Sequence, residues 1–343
     1  MKLLHSKPSA WNILAEDFPQ GGMPVEKWKF LLTYATLAPS SHNSQPWLFH
    51  IQDSEVELYA DRSRACPKVD PKDRELIMSC GCALFHLRVA MRHFACLGDV
   101  EIMPESRKCD LLARVSLGQQ SEVALENDLL FHAIQKRRTN RQPFRSEPLP
   151  PSLLSALQVA ADKELATLTF AIDQEVKQRV ADLIAQGDRR QWANKAFREE
   201  LAKWVHANHS KRHDGIPGYA RGVSSLMSYA GPLVVRTFDM GDGQAASDRE
   251  LATGSPALGV LTTDGDSVRD WLAAGQALAR VLLRARVEDV WASFLNQPIE
   301  VPSLRMNLPH VIGRPGFPQT ILRLGFGDDI KPTPRREVED VLV

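Results

Sequence analysis

Gly81-Cys82-Ala83-Leu84, followed by Leu87-Arg88-Val89, reappears in altered form as Gly275-Gln276-Ala277-Leu278, followed by Val281-Leu282-Leu283. In each copy a glycine sits inside an apolar stretch of helical spacing. A strand-like run follows each in turn: Leu112-Ala113-Arg114-Val115-Ser116-Leu117-Gly118 after the first, Ile321-Leu322-Arg323-Leu324-Gly325-Phe326-Gly327 after the second. The same order in both places predicts two copies of one α+β unit, each with a central helix and a strand closing at Gly. The bland alternative is that apolar helices and strands resemble one another by chance.

Outward from these anchors, the first part reads as a surface lead-in over 1–22 and a helix from Val25 to Leu37. A hairpin follows over Trp47–Ile51 and Glu55–Tyr59, then a long helix from Arg74 to Leu97 and a strand over Leu111–Leu117. Pro39-Ser40-Ser41 stops the first helix, because Pro cannot continue it and the serines compete for backbone bonds. The second part reads as helix over Glu122–Gln135, helix from Pro150-Pro151, strand over Leu165–Ile172 and helix over 174–207. Asp214-Gly215 breaks the chain. A strand over Pro232–Phe238, a helix over Val268–Ala285, an extended run over Val290–Leu295 and a strand over Gln319–Phe326 complete it. The expected domains are 23–120 and 121–343, the latter carrying a lid-like insertion at about 188–231.

The 343 residues hold 42 Lys plus Arg and 42 Asp plus Glu. No global field therefore favours nucleic acid or an acidic membrane, and any anion site must be local. The five cysteines are odd in number and form no C-x-x-C pair, which predicts a reducing compartment rather than a disulfide framework. Met1–Pro8 has no apolar signal region and no charge-free run could span a bilayer, so a cytoplasmic protein is expected.

Two segments could carry chemistry. Arg137-x-Thr139-x-Arg141 puts three donors in five residues at a helix end, and guanidiniums bind phosphate oxygens bidentately. Read blandly, the same cluster merely offsets the helix macrodipole. Pro39-Ser40-Ser41-His42-Asn43-Ser44-Gln45-Pro46-Trp47 holds several hydroxyl and amide side chains between two prolines, which suits a planar, polar-edged ligand. Its plain reading is a set of turn and cap residues. His206, His209 and His213 have a spacing a metal could use on a helix, but an exposed, charged segment is the preferred reading, and no metal is expected. No catalytic triad order, H-E-x-x-H, P-loop or G-x-G-x-x-G occurs.

With these motifs, Asp70-Pro71 through Arg74-Glu75-Leu76 and Trp271-Leu272-x-x-Gly275-Gln276-Ala277-Leu278, the chain resembles the FMN-dependent nitroreductases. In particular it resembles their fused, twin-unit Acg-type branch. The resemblance implies a nitroreductase-like α+β fold, with two tandem halves forming an intrachain pseudo-dimer. It implies an FMN whose phosphate is gripped by Arg137, Thr139 and Arg141. It also implies that Pro39, Ser40, Ser41, Asn43 and Gln45 close on the flavin. Backbone N–H groups of Ser293, Phe294 and Leu295 would face the ring, and Arg335 and Arg336 would reach the phosphate.

Half one has the serine loop but no Arg motif ahead of it. Half two has the Arg motif but Ala160-Ala161-Asp162-Lys163-Glu164 in place of the loop. One FMN per chain is therefore expected. The implied activity is NAD(P)H-dependent reduction of nitroaromatics, quinones or similar small acceptors, with no catalytic side chain. Its rival is a flavin-sequestering protein whose lid shuts out nicotinamide. A monomer acting as a pseudo-dimer, or a homodimer, fits either.

Overall fold

A computed structural model describes residues 10–105, 107–119 and 124–343. The start of the lead-in (1–9) and the beginning of the helix expected from Glu122 lie outside the described residues.

Pro24 occupies the first turn of α1 (Pro24–Thr36), which buries Trp28, Leu31, Leu32 and Ala35 along one stripe. The hairpin β1 (Trp47–Gln52) and β2 (Glu55–Ala60), the helix α2 (Arg74–His93), and strands β3 (Leu97–Ile102) and β4 (Leu111–Leu117) complete the first unit. Asp70 fixes the start of α2 by accepting from the N–H groups of Arg74 (2.9 Å), Glu75 (2.7 Å) and Leu76 (3.1 Å). The helix expected to reach Leu97 stops at His93. Ala95 turns the chain with a φ of 54°, and β3 begins. That strand was hidden in the sequence because its short run follows directly on the helix pattern of α2.

After α3 (Leu125–Ile134), the second unit runs α4 (Pro151–Asp162) and β5 (Thr167–Ala171). A helical insertion follows: α5 (Gln174–Ala193), α6 (Lys195–Trp204), the short pair β6 (Val205–His206) and β7 (Ile216–Pro217), α7 (Ser225–Ser228), α8 (Gly231–Thr237) and α9 (Gly241–Gly254). The unit resumes with β8 (Ala257–Thr263), α10 (Val268–Val287), β9 (Trp291–Phe294), α11 (Gln297–Glu300), α12 (Pro302–Arg305), α13 (Leu308–Ile312) and β10 (Phe317–Gly325). The expected strand at Pro232–Phe238 is instead α8. Pro232 starts it, and the β-branched Val234-Val235 finds no sheet edge; only Val235 is buried.

The two antiparallel sheets have orders β1-β2-β4-β3 and β5-β8-β10-β9. In each unit the strands run first, second, fourth, third, with the long helix between second and third. The chain is thus two tandem α+β halves packed as an internal pseudo-dimer around one continuous apolar core. Its centre is the crossing of α2 and α10. A Cβ on Gly81 would stand 2.3 Å from the Leu272 carbonyl oxygen, and one on Gly275 would stand 2.0 Å from that of Met78. The two echoed glycines therefore let the helix backbones touch.

The insertion belongs to the second half in sequence but docks on the first. Glu200 accepts from the N–H groups of Lys68 and Val69 at 3.0 Å, and Trp192, Phe197, Leu201 and Val205 pack on Cys66 and Val69. It fills the whole connection between β5 and β8, wider than 188–231. The C-terminal tail crosses over too: Val343 N–H donates to Phe49 on β1 at 3.0 Å. Among the described residues no helix is long and apolar enough to cross a membrane, and the cysteines are free thiols.

Candidate functional site

The serine loop connects α1 to β1. His42, Asn43 and Gln45 all have positive φ (52°, 56° and 53°), a conformation costly for non-glycine residues. Side-chain bonds hold it there. Ser40 Oγ accepts from Gln45 N–H (2.9 Å), and Ser41 Oγ donates to Glu75 on α2. Asn43 Nδ2 donates to the carbonyls of Gly215 and Pro334, both at 3.0 Å. Gln45 Nε2 donates to the carbonyl of His213 (2.8 Å), while its Oε1 accepts from Arg336 N–H (2.8 Å). The loop is therefore clamped by the insertion on one side and the C-terminal tail on the other.

The Arg motif leaves α3 as an extended segment that adds to β9. Thr139 bridges Ala292, and Asn140 N–H donates to the Ala292 carbonyl at 3.0 Å. This pairing sets Thr139 and Arg141 beside Ser293, Phe294 and Leu295. Arg323 on β10 braces the segment from below, donating to the carbonyls of Gln142 (3.0 Å) and Asn140 (3.2 Å).

Together these elements enclose a cavity of about 420 Å³. Pro39, Ser40 and Ser41 line it from the loop, Thr139 and Arg141 from the Arg motif, and Ser293, Phe294 and Leu295 from the end of β9. Arg137, Asn43, Gln45, Arg335 and Arg336 do not line it. Arg137 and Arg335 instead converge, buried, on the carbonyl oxygen of Leu37 at 3.2 and 3.5 Å, two residues before Pro39. Arg335 also donates to Asn43 Oδ1 at 2.8 Å. Arg336 is engaged with Gln45 and, more distantly, with Asp61.

The electrostatics are lopsided. Arg141 is half-buried, and its Nη1 is buried without a partner. Burial, with Arg221 and Arg323 nearby, pushes its guanidinium down to about 10. Burial also pushes Arg137 down to about 10 and Arg335 well below its usual value, and each leaves its Nε without a partner. His42, whose Nε2 is likewise unpartnered in the cavity wall, is lowered to about 4 by burial and held neutral. Buried cations without carboxylate partners are costly, so this arrangement suits an anionic ligand.

Sequence reasoning missed the opposite wall. Asp188, Gln191, Trp192, Arg221, Gln244 and Asp248 reach in from the insertion, and Asn296, Gln297 and Glu300 from the end of β9 and α11. The one available signal was Arg323, a charge inside an otherwise apolar strand pattern. The His206, His209 and His213 helix does not form: α6 ends at Trp204, and His206 turns to Asp214 (3.4 Å). Among the described residues no group of three or more His, Cys, Asp or Glu could hold a metal.

On the pseudo-symmetric side, Glu164 follows α4 as the serine loop follows α1. It is taken up by Arg88 (2.7 Å) and Arg280 (2.9 Å). An ion-pair network occupies that place.

No family model matches the chain. Along nearly its whole length it is nevertheless similar to known proteins. It is 29% identical over 98% of its length to the Mycobacterium tuberculosis protein named "Putative NAD(P)H nitroreductase Rv3131", covering 94% of that protein. It is 28% identical over 91% of its length to "Putative NAD(P)H nitroreductase acg" of the same organism, covering 94% of it. Among solved structures, an FMN- and NADPH-dependent nitroreductase NfnB from a "sphigopyxis" species aligns over 62% of this chain and 97% of its own, with 16% identity and a TM-score of 0.42.

Proposed function

We propose that the chain binds one FMN in this cavity and serves as a nitroreductase-type oxidoreductase, passing electrons from NAD(P)H to a nitroaromatic, quinone or similar small acceptor. The observation that carries this reading is the unpartnered, buried Nη1 of Arg141 in a cavity it shares with Thr139 and the serine loop. A cavity of about 420 Å³ is in the range that takes a cofactor-sized ligand. The relatives at 28–29% identity, named for NAD(P)H nitroreductases, support the same class.

In this reading the flavin, when bound, supplies the two-electron chemistry, and the protein supplies binding and orientation. Arg141 and Thr139 hold its polar edge or phosphate. Arg137 and Arg335, gathered at the Leu37 carbonyl outside the cavity, hold the start of the serine loop, with Arg336, Asn43 and Gln45 fixing the loop and tail. Ser40, Ser41 and Pro39 shape the ring site, and the backbone of Ser293, Phe294 and Leu295 closes it. The glutamate network at Glu164 leaves no counterpart, so one flavin per chain follows.

A second reading is a flavin-sequestering protein with little turnover. It is favoured by the insertion, whose Trp192, Phe197 and Leu201 stand in the cavity wall. Anaerobic mixing of the flavin-loaded protein with NADH or NADPH separates the two. Rapid bleaching of the flavin absorbance supports the oxidoreductase; yellow protein after prolonged mixing supports sequestration.

A further inference from the structure

The insertion-side wall contains an arrangement that the anion site does not use. Asp188 on α5 and Asp248 on α9 both accept from the side-chain amide of Gln297 on α11, at 3.1 and 2.7 Å. Gln297 Nε2 bridges the two carboxyls, so its Oε1 points away from them. It is buried and has no partner, and neither has Asp188 Oδ2. Asp188 is 1% exposed, and both residues line the cavity. Gly187 lets α5 and α11 approach closely here, since a Cβ on it would lie 2.6 Å from Gln297 Cβ. Two unmet polar atoms thus belong to one hydrogen-bonded pair of wall residues, one on a carboxyl and one on an amide carbonyl.

We propose that Asp188 and Gln297 form a donor–acceptor pair that recognises a primary carboxamide, the Asp188 carboxyl donating to the amide oxygen and Gln297 Oε1 accepting from the amide nitrogen. The inference rests on the oxidoreductase reading in one respect: the nicotinamide of NAD(P)H carries such a group, and the pair then positions the reductant. Asp188 can donate only while protonated. Burial, reinforced by Asp248, pushes it up to about 8, against weaker opposing effects from Gln297 and Arg189. Asp248 is itself raised by burial, with Arg221, Arg323, Gln244 and Gln297 acting against the shift. One turn further along α11, the Glu300 carboxyl is pushed well above its usual value by burial, with Glu75 adding to the shift, and accepts from Gln191. The group facing the cavity at neutral pH is therefore a neutral acid. A ligand carboxylate in its place would meet Gln297 Oε1 with a lone pair and leave that acceptor unsatisfied.

The test uses the full-length, flavin-loaded protein with nicotinamide and nicotinate as probes, titrated by tryptophan fluorescence (Trp192 lies in the cavity wall). Nicotinamide is expected to bind at least about tenfold tighter than nicotinate at about pH 6.5. Its affinity should then fall as pH rises through about 8, when Asp188 ionises. Asp188→Asn, which keeps a neutral donor, should retain nicotinamide binding and lose the pH dependence. Gln297→Met should lose the discrimination between amide and acid. Equal binding of the two probes, or pH-independent nicotinamide binding by the unmodified protein, overturns the proposal. Flavin content is read from the same samples. A protein that retains no flavin counts against the oxidoreductase reading instead, and the probes are then titrated on it with the same criteria.

Discussion

Arg137 is buried and Arg141 half-buried, both are lowered by desolvation, and neither meets a carboxylate. Charge-assisted bonds to a phosphate or polar ring edge are worth about 1.5–3 kcal/mol each. Arg141→Ala, which removes the one of the two that lines the cavity, should therefore weaken FMN retention by at least about tenfold while leaving the circular-dichroism spectrum of the fold intact. Unchanged flavin affinity in this variant would contradict the assigned anchor. Asp214 makes a different prediction. It accepts from Arg64 and Arg212 and faces His206, which together hold its carboxyl far below the usual range despite burial. A depressed carboxyl adds stability above its unfolded value of about 4, and that stability is lost as pH falls below it. Denaturant midpoints should therefore drop between about pH 5 and 2 in the unmodified protein and drop less steeply in Asp214→Asn. At neutral pH, Asp214→Ala should cost about 1–3 kcal/mol, since it leaves the part-buried Arg64 without its carboxylate while the exposed Arg212 stays solvated.

Among the elements, the α2–α10 crossing was the most legible, because a glycine in an apolar helix pattern, repeated in a second helix, has few explanations other than close approach. Gly275→Ala should destabilise the chain by at least about 1–3 kcal/mol, read as a lowered melting temperature, because its Cβ meets backbone rather than a movable side chain. A melting temperature equal to that of the unmodified protein would mean the helices do not touch there. The hairpin, α1 and β10 were legible from apolar spacing alone. β3 was not, since its short run follows directly on the helix pattern of α2 and its register shifts between Leu97 and Val100, and α8 was misread because β-branched residues outweighed the Pro at its start. In the site, the serine loop and Arg motif stood out by composition. Asp188, Asp248 and Gln297 did not, because single polar residues on amphipathic helices look like solvent-facing positions until the insertion folds over the first half.

For the whole molecule, duplication with divergence is the central feature. The halves share a topology, yet they have parted in chemistry. One side of the pseudo-dimer joins the serine loop to the Arg motif around a cavity, while the other answers with Glu164, Arg88 and Arg280 in ion pairs. The insertion and tail deepen the asymmetry by strapping the surviving side through Asn43 and Gln45. The most direct test is the molar ratio of FMN to chain in protein reconstituted with excess FMN and freed of unbound cofactor. The account predicts one FMN per chain; a ratio of two, or colourless protein that retains none, would contradict it.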